Sequence, residues 1–215
     1  MDKKHKYRKE TYTESKNSFL HFIIKKIIIN NRNKFFYYFL NNTEYTDSKS
    51  IIDIGTTTSL HTEDNIFLNK TKNNQNITCL SNQDCKILSK KYPNIKNFII
   101  GDGRDINLEE NSFDIVHSNA TIEHVGSYQN QISFIKETIR ISKKYIFIQT
   151  PNKYYPIDFH TTLPFLHWLP KNLHRKFLKI LRLNFYSLED NLNLLSHKNL
   201  IDICKELNIK KFKII

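Results

Sequence analysis

The chain has 215 residues, 39% hydrophobic and 25% charged, with a formal charge of +12. That length supplies one sizeable core but not two ordinary domains, and the apolar content excludes a disordered chain. Four glycines and five prolines exclude collagen-like sequence and long flexible linkers, and no apolar run reaches the roughly 20 residues of a membrane span.

The charge is unevenly placed. Residues 1–34 carry net +7, residues 171–215 net +6, and the stretch between them net −1. Basic ends around a neutral centre invite an anionic surface, and peripheral contact with an anionic membrane is one such partnership. Nucleic acid is the less favoured partner, because the neutral centre carries no added binding module. Cys79, Cys85 and Cys204 form no CxxC pair, so no disulfide framework or zinc motif follows and a reducing compartment is expected. With no targeting segment recognisable, the expected location is cytoplasmic.

In chain order, residues 1–15 are polar and are expected to fray. Residues 18–40 have a helical pattern, with a break expected near 30–33, and 41–49 read as a polar linker. A strand–helix rhythm follows. Strands are predicted at 50–54, 77–80, 97–100, 113–117, 145–149 and 211–215. Helices are predicted at 63–69, from the Ser81 cap to about 91, at 129–142, at about 173–183, and after a Ser196 cap. The division predicted is a basic, helical N-terminal preface (1–49) and a domain over 50–215, with an insert at 153–195 after the fifth strand. Alternating strands and helices imply an α/β, doubly wound, Rossmann-like, mostly parallel sheet with helices on both faces. Ligands in such sheets bind beyond the carboxyl ends of the strands.

The residues at those ends are informative. The first strand runs into Asp53-Ile54-Gly55-Thr56-Thr57-Thr58, which lacks the further glycines of a dinucleotide fingerprint. Ile51-Ile52-Asp53-Ile54-Gly55, Phe98 through Gly103, and Glu110 through Val116 followed by Ala120-Thr121-Ile122-Glu123-His124-Val125 occur in that order. Together they resemble the strand-end motifs of class I S-adenosylmethionine-dependent methyltransferases, in the small-molecule, type 11-like branch. The resemblance covers roughly residues 50–152.

That resemblance implies S-adenosylmethionine as cofactor and methyl transfer to a small molecule or a glycan- or lipid-linked precursor. It assigns Asp53, Gly55 and Thr56 to the first loop and the cofactor's amino-acid end. Asp102 and the Gly103 amide would meet adenine, and Ser118 and Asn119 the methionine portion. His124 would stand near the transferred methyl. Two departures count against tight binding. β-branched Thr56, Thr57 and Thr58 resist the left-handed backbone such a loop uses. Ser81 stands where the family places a ribose-binding acid, leaving Asn82, Gln83 or Asp84 as substitutes. These departures support an alternative reading, a catalytically silent binding or scaffold domain.

The segment after the fifth strand is dense in aromatics, His and Pro. Asp158, His160 and Tyr154 are candidates to position or deprotonate an acceptor hydroxyl. Leu173, Phe177, Ile180 and Leu181 share one face of a basic helix next to Trp168, a pattern suited to a membrane surface. His117, His124, His160 and His167 have no close metal-ligand spacing on one element, so no metal centre is expected.

Overall fold

The computed structural model describes residues 19–95 and 97–215; the fraying expected over residues 1–15 lies outside them. Five strands, β1 (Ile51–Ile54), β2 (Ile77–Ser81), β3 (Asn97–Ile100), β4 (Phe113–Asn119) and β5 (Ser142–Gln149), form one parallel sheet in the order β3-β2-β1-β4-β5. The order reverses between β1 and β4. This is the Rossmann-like architecture expected from the rhythm of the sequence.

Each strand's two faces serve different layers. Ile52, Ile54, Leu80 and Val116 pack with α3 (Tyr128–Ile141) and α5 (His197–Glu206), through Phe134, Ile135 and Ile203. Ile51, Ile77, Cys79 and Ile115 face the other way, onto α1 (Phe19–Asn42) and α2 (Ile66–Lys70), through Phe39, Phe67 and Leu68. Strands covered on both faces explain the nearly continuous apolar runs. Ser127 caps α3 by accepting from the Asn130 amide, and Ser196 with Asn199 makes a capping box for α5.

Several local expectations are corrected. α1 runs unbroken through Asn30–Asn33, because Phe36, Phe39 and Leu40 dock on the sheet and Arg32 donates to the Glu63 carbonyl; tertiary packing outweighs weak helix formers. The helix expected from Ser81 is only one 3-10 segment, Lys86–Lys90. There the Ser81 hydroxyl accepts from the Gln83 amide and the Asp84 carboxylate from the Lys86 amide, so side chains compete for the donors a helix would use. The strand expected at 211–215 does not form. Phe212 and Ile215 stay exposed among lysines and pair with no strand. α4 (Lys171–Ile180) buries Leu178, while Leu173, Phe177, Ile180 and Leu181 remain exposed. No helix among the described residues is long and apolar enough to cross a membrane.

Candidate active site

The carboxyl end of β1 turns at Gly55, whose φ is +87°. A Cβ there would stand 2.0 Å from the Thr121 hydroxyl, so glycine is required both by conformation and by the close approach of the segment after β4. None of Thr56, Thr57 and Thr58 adopts positive φ; the loop takes its left-handed residue at Gly55 alone, and the β-branched residues are accommodated. Thr56 donates to Asp53 Oδ2 at 2.7 Å, and Asp53 Oδ1 meets His117 Nδ1 at 2.6 Å. Asp53 and His117 are register partners on neighbouring strands, and both are buried. The His117 ring stacks on Phe67 with centroids 3.7 Å apart. Asp53 therefore braces the β1 loop from within the sheet.

At β2, Ser81 is buried and Asn82 is exposed. Beyond β3, the Asp102 carboxylate is gripped by Arg104 through Nε at 2.9 and 3.0 Å and Nη2 at 2.5 Å, and Arg104 also donates to the Val125 carbonyl. A Cβ on Gly103 would come 2.7 Å from Phe134 and 3.1 Å from Ile54. Core packing alone demands glycine at this position. Beyond β4, the Ser118 hydroxyl donates to the Ile54 carbonyl at 2.9 Å. Asn119, at the strand's tip, lines a small cavity with Arg32, His117, Phe147 and Gln149. Ala120 follows with φ +53°, uncommon for a residue with a side chain and typical of functional sites.

A buried polar cluster lies past the ends of β4 and β5. Glu123 and His124 sit on a one-turn 3-10 helix, Ile122–His124. Thr150, next after β5, donates to Glu123 Oε2 at 3.0 Å. The insert returns across them as a tight loop. Asp158 donates its amide to the Leu163 carbonyl, and Phe165 donates to the Pro156 carbonyl. Thr162 and Phe165 both have positive φ, so this loop stores backbone strain. Inside it, His160 Nδ1 donates to Asp158 Oδ1 at 2.9 Å, and Asp158 also accepts from the His160 amide and the Thr161 hydroxyl. His160 Nε2 lies 3.2 Å from His124 Nε2 and 3.7 Å from Glu123 Oε1. His124 Nδ1 donates to the Asn191 carbonyl at 2.6 Å.

The electrostatics follow from that packing. Burial pushes the His160 ring towards the neutral form, but the Asp158 and Glu123 carboxylates outweigh it and hold its pKa at about 9. Burial likewise opposes ionisation of Asp158 and Glu123, yet the His160 imidazolium beside them takes both below their usual range. At neutral pH His160 is an imidazolium between two carboxylates, and its Nε2 proton points at His124 Nε2.

The structure brings His124, Asp158 and His160 together and adds Glu123 and Thr150. Asp158 has both oxygens engaged, so it orients His160. Tyr154 is exposed. His117 serves Asp53, and His167 donates to the Tyr155 carbonyl. Spacing along single elements predicts no metal centre, yet Glu123, His124 and His160 place one ligand atom each within 4.8 Å of one another. No single-element spacing shows this, because His124 and His160 lie 36 positions apart.

Residues 52–146 match the family model described as a methyltransferase domain. No curated protein sequence matches the chain. Among solved structures, a chain from the complex between the Haloferax volcanii Trm112 methyltransferase activator and a methyltransferase is 13% identical, with 89% of this chain and 76% of that one covered and a TM-score of 0.53. A SAM-dependent methyltransferase from Archaeoglobus fulgidus is 15% identical over 85% of this chain and 68% of its own, TM-score 0.54. One from Methanosarcina mazei is 14% identical over 78% and 82%, TM-score 0.50. Residues 52–146 thus match a methyltransferase-domain model, and the sheet order and the Gly55 turn give the chain the class I methyltransferase fold, for which S-adenosylmethionine is the implied cofactor.

Proposed function

We propose that this chain transfers a methyl group from S-adenosylmethionine to a small molecule or a glycan- or lipid-linked precursor. The proton of the acceptor would be handled by the cluster of Glu123, His124 and His160. The observation that carries the reading is the position of this cluster, beyond the carboxyl ends of β4 and β5 and next to the reversal of strand order.

The residue types at the strand ends fit the cofactor. The Gly55 turn lets the chain pass closely, Thr56 is held by Asp53, and an exposed Asn82 follows β2. Asp102 and the Gly103 amide would meet adenine, with Arg104 orienting the carboxylate. Ser118, its hydroxyl committed to Ile54, and Asn119 would offer the backbone and amide at the methionine end. When bound, S-adenosylmethionine supplies a methyl carbon activated by the sulfonium. The chain's own part is alignment and proton removal. His124 is the half-buried member of the cluster and would face the acceptor, while Asp158 and Glu123 hold His160 in place behind it.

A second reading, a methyltransferase-like binding domain without turnover, is favoured by the lack of an acid at Ser81 and Asn82. Calorimetric titration with S-adenosylmethionine and S-adenosylhomocysteine separates the two. Binding of either at micromolar concentration is expected; no binding of either at millimolar concentration rejects methyl transfer. The exposed face of α4, with Phe165 and Trp168 alongside, supports a peripheral contact with an anionic membrane surface.

A further inference from the structure

We propose that Glu123, His124 and His160 bind one divalent transition-metal ion of the zinc class. Metal binding goes beyond the methyl-transfer reading and does not depend on it.

The outer atoms of all three side chains are already occupied, and the inner atoms converge. His124 Nδ1 donates to the Asn191 carbonyl and His160 Nδ1 to the Asp158 carboxylate. Each bond sets the tautomer that leaves Nε2 as the ligand atom, the arrangement of histidines that hold metals. Glu123 Oε2 takes the Thr150 hydroxyl. Its Oε1 is buried, has no hydrogen-bond partner, and lies 3.7 Å from His160 Nε2. The His160 imidazolium meets this oxygen only at ion-pair distance, beyond a hydrogen bond, and a buried carboxylate oxygen is better satisfied by direct ligation of a cation.

Distance and charge agree. Two imidazole nitrogens on a tetrahedral zinc stand about 3.3 Å apart, given bonds of about 2.0–2.1 Å; the two Nε2 atoms here are 3.2 Å apart, and the Glu123 carboxylate, 3.7 Å from His160 Nε2 and within 4.8 Å of both ligand nitrogens, would draw in on binding. Without metal, two buried carboxylates face one imidazolium proton. A divalent cation replacing that proton, which leaves to solvent, balances both carboxylates. Two imidazoles and one carboxylate suit zinc or its neighbours, whereas magnesium and calcium take oxygen sets. Three protein ligands leave a position open, and half-buried His124 gives a path to it. On the methyl-transfer reading, an acceptor oxygen would occupy that position, where the cation would lower its pKa and the proton would leave to solvent, the two histidines then acting through the metal and not as bases.

The test uses the full chain, stripped with chelator and titrated with Zn2+ and Co2+, with Mg2+ for comparison. One zinc or cobalt per chain is expected at micromolar concentration or tighter, with the intense visible bands of low-coordinate cobalt. His124→Ala, His160→Ala and Glu123→Gln should each weaken binding at least tenfold, and Asp158→Asn, which touches no metal, by about 10- to 100-fold. His61→Ala, at an exposed histidine, should leave it unchanged. Circular dichroism checks the fold of each variant, and the cobalt spectrum of the unmodified chain stands if one does not fold. No stoichiometric binding, or binding that survives the folded cluster variants, overturns the proposal. Titrating cofactor with and without zinc keeps the two readings apart: lost cofactor binding with intact zinc binding sinks methyl transfer alone.

Discussion

Asp53 on β1 and His117 on β4 are register partners, and their side chains meet at 2.6 Å on the α1 face of the sheet. The carboxylate's other oxygen holds Thr56. Asp53 therefore couples two central strands to the first loop. Asp53→Ala leaves the buried His117 ring without its partner and should cost about 1–3 kcal/mol in urea unfolding. It should also weaken cofactor binding through loosening of the Gly55 loop. Unchanged stability in a folded variant would show that the pair carries no weight.

The glycines should rank by what surrounds them. Gly55→Ala meets both the left-handed backbone and Thr121, and should unfold the loop or abolish cofactor binding. Gly103→Ala presses on Phe134 and Ile54 and should cost about 1–3 kcal/mol by overpacking. Gly101→Ala, with Leu80 no nearer than 3.8 Å, should be nearly silent. Thermal unfolding of the three variants checks the order; Gly101→Ala proving the most damaging would refute it.

Asn82 and Ser81 should respond oppositely to a carboxylate. Asn82 is exposed, so a charge at that position costs little. Asn82→Asp should tighten cofactor binding by about 1 kcal/mol through charge-assisted bonds to the ribose. Ser81→Asp forces a charge into a buried position and should lower stability instead. Calorimetry and melting curves for both variants decide this; tighter binding by Ser81→Asp and none by Asn82→Asp would reverse the assignment.

The chelator-treated protein should show a pH signature from His160. Its folded pKa of about 9 lies above the ordinary 6.5, so the folded state binds the proton more tightly. The contribution is complete below about pH 6.5 and is lost as pH rises towards 9. Asp158 and Glu123 are shifted down, so their share is present above the ordinary carboxylate range and is lost on acidification. The groups facing His160 are Asp158, Glu123, His124 and Tyr186. The stability difference between the chain and His160→Gln should shrink by about 1 kcal/mol per pH unit between 6.5 and 9. A difference that is flat or grows over that range contradicts the imidazolium assignment.

On α4, Phe177 and Ile180 are exposed next to Arg175, Lys176 and Lys179. Co-sedimentation with anionic vesicles should exceed that with neutral ones at low salt, and a remainder should persist at high salt, where screening removes the charge contribution. Phe177→Ser should abolish the remainder. Equal binding to neutral and anionic vesicles at low salt would reject the contact.

Apolar runs punctuated by turn residues were enough to place β1 to β5 and the helices α3 and α5, because strands buried on both faces must be apolar and Ser127 and Ser196 satisfy donors within their own helices. The motif order Asp53-Ile54-Gly55, Gly101-Asp102-Gly103 and Glu123-His124 likewise carried the resemblance to methyltransferase domains. Contacts distant in sequence decided the rest. The length of α1 depends on docking against Phe67 and Phe147, and the end of the sheet at β5 on residues 211–215 finding no strand to pair with. Asp102 was legible as a strand-end acid, but its grip by Arg104 was not. Glu123 reads locally as a neighbour of His124. Its role appears only when the insert folds Asp158 and His160 back over the ends of β4 and β5, because burial, charge and ligand spacing there belong to groups from separate segments. Sequence periodicity records how each segment meets the core, whereas that convergence depends on the path of the loop between them.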